Sequence, residues 1–179
     1  MNTTEVLPPS VAPAPSQQDR TVIPPDLLVR VASFQFRPLI DRMIDKLGWS
    51  EEEATLGFED VKRFLYLCGV HRGRTFIPSQ RIDEVWHNFI LFTEEYQQFC
   101  YGHFGRFIHH RPHRKDDPKP CTDMAVVTLR AATEVFGALS PNWMFVRKDG
   151  SVLNAEASSE CGPSSCSGEG TTASCHGAE

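Results

Sequence analysis

The sequence predicts a mainly α-helical fold, a compact bundle of about five helices with a small C-terminal hairpin and disordered tails. Three observations predict it. Between Pro25 and Leu153, apolar residues recur at helical spacing in several separate runs. Helix-starting residues stand directly before those runs. Prolines and small residues gather at the two ends, which lack the apolar surface to repay ordering. The chain therefore divides into a Pro-rich tail (1–24), a helical domain (25–154) and a Cys-, Gly- and Ser-rich tail (155–179).

A first short helix is expected from Asp26, an N-cap candidate after Pro24 and Pro25. Pro38 interrupts it, and "PLIDRMIDKLGW" restarts with proline in the tolerated first turn and stops at Gly48. Ser50 and Glu53 form a capping box for the next helix, with Glu51 and Glu52 placing negative charge at its positive end. Phe58, Val61, Leu65 and Cys68 mark its core face, and Gly69 is expected to end it. Ser79 caps one long helix reaching Phe104. "GRFIHHRPHRKDDPKP" reads as a loop, and Thr122 or Asp123 opens a helix closed by Gly137. "WMFVRKDGSVL" reads as a hairpin turning at Asp149-Gly150.

At 179 residues the chain suits one domain plus tails. Its net charge of −5 argues against a general nucleic-acid binder. No window holds the roughly 18 apolar residues of a membrane-spanning helix. The N-terminus lacks the basic and apolar regions of a secretory signal. The expectation is a cytoplasmic protein whose cysteines are mostly reduced. No phosphate-binding Gly-rich loop, nucleophile elbow or His-Glu-x-x-His helix is present, which lowers the expectation of a common hydrolase or transferase.

Sorted at about 100° per residue, the long helix places Ile82, Val85, Trp86, Phe89, Phe92, Tyr96, Phe99, Cys100 and Phe104 on one apolar face. His87 points away from that face. It falls in a polar stripe with Asp83, Ile90, Glu94 and Tyr101. Three readings of His87 stand side by side: a solvated rim or contact group, a metal ligand supported by Asp83, and a hydrogen-bond hub packed under the following loop.

Further ligand candidates are His109, His110 and His113 in the loop, with His103 just before it. Two adjacent histidines and another in reach suit zinc or another transition metal together with His87. The alternative is a basic solvated loop, since Arg106, Arg111, Arg114, Lys115 and Lys119 outnumber Asp116 and Asp117. Cys68 and Cys100 lie on apolar faces and read as inert core thiols, while Cys121 stands at a helix start. In the tail, Cys161, Cys166, Cys175 and His176 lack the tight spacing of a zinc knuckle, but suit a soft metal, redox pairing or modification.

"RFLYLCG", "PSQRIDEVWHNFILFTEEYQQFC" and "FGRFIHHRP" together resemble a group of bacterial proteins related to the glycine-rich-domain-containing-protein-like family. The resemblance rests on Asp83, Trp86, His87, Tyr96, Phe99 and Cys100 and runs from Phe64 to Pro112. It implies a helical fold and supplies no activity. Where that group often shows Trp-His-x-His, this chain has Phe89.

Three functional expectations follow. The first is a cytoplasmic binding or adaptor module, not an enzyme, whose Asp83–His87–Glu94 edge, with Tyr101, and His-rich loop meet a protein or small molecule. The second is a zinc- or other metal-dependent protein, with an enzyme as one form of that reading, using His87 and the loop histidines. The third makes the Cys-rich tail a modified or metal-binding peptide carried by the domain.

Overall fold

The computed structural model describes residues 23–111, 122–146, 150–153 and 176–177. Helix α1 spans Leu27–Ser33, α2 Arg37–Leu47, α3 Glu51–Val70, α4 Gln80–Ile90 and α5 Thr93–Phe104. A two-residue strand β1 (Ile108–His109) precedes α6 (Thr122–Phe136), and a 3₁₀ turn at Pro141–Trp143 leads to β2 (Phe145–Val146) and β3 (Val152–Leu153). Strand β4 is His176–Gly177. The fold is mainly helical, as the periodicity implies. None of the helices among the described residues is long and apolar enough to cross a membrane.

Helix α3 is the central element and touches α1, α2, α4 and α6. It begins where the capping box places it: Ser50 Oγ accepts from the Glu53 N–H, and Glu53 accepts from the Ser50 N–H at 2.9 Å. Its neighbours α2 and α5 end at Gly48 and Gly105, whose φ angles of 69° and 67° are left-handed and favour glycine. The core that results is strongly aromatic. Phe34, Phe58, Phe89 and Phe99 meet at centroid distances of 5.0–6.2 Å. The hairpin β2–β3 pairs antiparallel, with Phe145 opposite Leu153, while Asp149 of its expected turn lies outside the described residues.

Several local expectations change. Gly69 does not end α3, which continues to Val70. Its role is close approach, because a Cβ there would stand 2.2–2.7 Å from ring carbons of Phe104. Asp26 makes no capping hydrogen bond and instead pairs with Arg30 at 3.3 Å. Cys68 is disulfide-bonded, whereas Cys100 is, among the described residues, a buried free cysteine, its thiol pushed up by burial.

Two charged residues lie buried within α3. Asp60 accepts from Trp143 Nε1 at 2.9 Å and Asn142 Nδ2 at 3.0 Å, and also from Ser140 Oγ, so it ties the 3₁₀ turn to α3. Lys62 Nζ donates to the carbonyls of Ala32 (2.6 Å) and Phe34 (2.8 Å) and pairs with Glu59 at 2.8 Å. It thus serves carbonyls left open at the end of α1. A buried carboxylate or ammonium is tolerable only with such partners.

The largest departure is in the expected long helix. It is two helices, broken at Leu91–Phe92. Leu91 remains helical, but Phe92 leaves the helical region at φ −87° and ψ 71° and packs edge-on against Phe36 at 5.0 Å. Thr93, Glu94 and Glu95 then open α5, and the carboxylates suit its positive end.

A candidate metal centre on helix α4 and strand β1

Three potential ligands converge from two elements. Asp83 and His87 are one turn apart on α4, so their side chains leave the same edge. His110 directly follows β1, where alternation turns Ile108 and His110 inward and His109 outward. One ligand atom from each of Asp83, His87 and His110 lies within 4.8 Å of the other two.

The geometry within this cluster is specific. His110 Nε2 lies 2.7 Å from Asp83 Oδ1, and the side chains are 5% and 33% exposed. His87 is 49% exposed, with its Nδ1 2.8 Å from the Asp83 carbonyl oxygen and 3.4 Å from Asp83 Oδ2. An Nδ1–H donated to that carbonyl leaves Nε2 with a free lone pair. The two imidazoles stand 4.2 Å apart at 56°, and Trp86 meets the His110 ring edge-on at 4.4 Å. The site is therefore walled by protein on the His110 side and open on the His87 side.

Behind the cluster runs a buried relay. Trp86 Nε1 donates to Tyr96 Oη at 2.9 Å, and the Tyr96 hydroxyl donates to the Ile108 carbonyl at 2.6 Å. Burial pushes the Tyr96 hydroxyl far above the ordinary tyrosine range, so it remains a donor. The relay depends on the helix break. In one continuous helix, residues 86 and 96 would stand about 15 Å apart along the axis.

The candidate residues separate accordingly. Asp83, His87 and His110 come together. Glu94 and Tyr101 remain exposed on α5, and Glu94 is not among the carboxylates gathered at the cluster. His109 is exposed, its ring 4.8 Å from Phe107. His103 Nδ1 bonds the Phe99 carbonyl at 2.8 Å, and its ring packs on Phe34 and Phe99. The backbone of His176 pairs antiparallel with His109. His113, Cys121, Cys161, Cys166 and Cys175 lie outside the described residues.

Sequence reasoning treated the histidines of the loop alike and passed over Tyr96 as one more apolar-face residue. The Thr93-Glu94-Glu95 helix-start signature was the available signal for the break. Phe89, the residue standing where a second helix histidine is expected from the resemblance, is fully buried among aromatic rings. The second imidazole comes instead from His110, directly after β1.

The UCP032817-like family matches the chain over residues 28–122, which takes in α1 from its second residue, α2 to α5, β1 and all three clustered side chains. No curated protein and no solved structure matches it.

Proposed function

Since the chain belongs to the UCP032817-like family, and the matched span holds the entire Asp83–His87–His110 cluster, we propose that it is a divalent transition-metal-binding helical protein. The observation that carries this reading is the convergence of a carboxylate and two imidazoles from elements 27 residues apart in the chain. Two nitrogens and one oxygen suit zinc, and a three-residue set leaves a fourth position for water or a ligand on the open side of His87.

The distances also define what binding requires. Ligands held about 2.0–2.1 Å from a tetrahedral ion lie about 3.3 Å from each other. Asp83 and His110 stand at hydrogen-bond separation, 2.7 Å. Metal binding through His110 Nε2 therefore replaces that hydrogen bond, places the ring proton on Nδ1 and moves Asp83 slightly outward. Asp83 is partly exposed and has room to do so.

The contact-site reading based on a continuous Asp83–His87–Glu94 edge is less favoured, because α4 and α5 separate those residues. Zinc content after dialysis of tag-free protein tests the metal reading. Zinc near one equivalent in wild type, lost in both His87→Ala and His110→Ala, is expected. Wild-type protein that takes up neither zinc, cobalt nor nickel would overturn it.

A further inference from the structure

We infer that Tyr96 is a positioning residue of the Asp83–His87–His110 site, acting through its hydroxyl on the backbone of β1. This inference rests on the proposed metal reading for its affinity consequence, but not for its geometry. His110 is two residues beyond Ile108, and the carbonyl of Ile108 accepts the Tyr96 hydroxyl at 2.6 Å. The Tyr96 hydroxyl oxygen in turn accepts from Trp86 Nε1 at 2.9 Å. Trp86 directly precedes His87 on α4, and its ring supports His110 at 4.4 Å. One phenolic oxygen therefore joins the helix carrying Asp83 and His87 to the strand that His110 directly follows.

The cost of losing this oxygen is local and directional. Tyr96 and Trp86 are fully buried, so no water replaces the hydroxyl at either partner. Phenylalanine preserves the ring packing of Tyr96 against Phe89 and Phe107, at 5.2 Å each, and removes the bridge together with the hydroxyl's interaction with the Cys100 thiol. The freed Ile108 carbonyl and Trp86 N–H must then seek other partners, which shifts β1 relative to α4. A 2.7 Å contact between His110 and Asp83 is sensitive to a shift of a few tenths of an ångström. Groups that orient ligands without touching the ion typically contribute about ten- to a hundredfold in metal affinity.

The test compares Tyr96→Phe with Ser140→Ala in the full-length protein. The second variant also removes a hydroxyl hydrogen bond, the part-buried one of Ser140 to Asp60, but at the 3₁₀ turn. Zinc affinity is read by competition with a chromophoric chelator, under conditions where both variants are folded. Denaturant unfolding reports stability separately. Tyr96→Phe is expected to weaken zinc binding about ten- to a hundredfold, while Ser140→Ala stays within about twofold of wild type. Equal zinc affinity in Tyr96→Phe and wild type would overturn the inference.

Imidazole nitrogen chemical shifts of the metal-free protein supply the second measurement. Loss of the His110–Asp83 hydrogen-bond signature in Tyr96→Phe, with its retention in Ser140→Ala, supports the positioning role. An unchanged His110 signal in Tyr96→Phe overturns it. If wild type takes up no metal, the proposed function fails and these shifts alone decide the role of Tyr96.

Discussion

His87 and Trp86 are neighbours in sequence with opposite physical duties. His87 is about half exposed, and its ring is held by the carbonyl of its own helix. In metal-free protein, His87→Ala is expected to change stability by no more than about 0.5 kcal/mol. Trp86 is fully buried against Phe64 at 5.4 Å and bonds Tyr96. Trp86→Ala is expected to cost about 3–5 kcal/mol, from lost burial and the remaining cavity. Chelator-treated samples unfolded in urea measure both, and equal midpoints for the two variants would contradict this assignment. The divergence was legible in sequence because helical periodicity separates adjacent positions by about 100°. The identity of the second imidazole was not. His109, in the two-residue strand, and His110, directly after it, differ only in the side to which the alternating backbone turns them, and nothing local in a histidine-rich segment sets that register.

At the scale of the elements, the caps were the most legible feature, since a capping box depends on a few consecutive residues. Hydrogen bonds from the Ser50 backbone and side chain hold the Glu53 carboxyl below its ordinary value. A carboxyl lowered in the folded state adds stability above its unfolded value of about 4.3 and loses it as the pH falls through the folded value. The destabilisation caused by Glu53→Ala should therefore be largest at neutral pH and should shrink by about pH 3. An identical penalty at both pH values would rule out the ionised capping box as its source.

Glycine was less legible, because its two uses look alike in sequence. Gly48 is a terminator, whereas Gly69 makes room for Phe104 inside a helix. Gly69→Ala should lower stability by about 1–3 kcal/mol through overpacking, despite alanine's better helix propensity. Gly102→Ala, with open space at its Cβ in α5, should instead raise stability by up to about 1 kcal/mol. Denaturant midpoints moving in the same direction for both would refute that distinction. The α4–α5 break was hidden for a related reason. It carries no glycine or proline and is held by tertiary contacts, Phe92 on Phe36 and Tyr96 on Trp86.

Across the whole molecule, the helical class and the apolar faces were legible because burial repeats along the chain. Residues assigned to the apolar face of a single helix, including Val85, Phe89, Phe99 and Cys100, are indeed buried although the helix is two. Buried charge was not legible, since Asp60 and Lys62 find their partners far away in sequence. Lys62 offers a way to watch the molecule open. The chain has five lysines, and this one is sealed against two carbonyls of the segment that follows and ends α1. An amine-reactive reagent can reach its nitrogen only when α1 lifts from α3. Lys62 should therefore label later than the exposed Lys46, at a rate that saturates with reagent concentration and then equals the opening rate of that helix. Labelling as fast as at Lys46 would mean that the first helix is loosely held. A saturating rate would turn one side chain into a clock for the molecule's breathing.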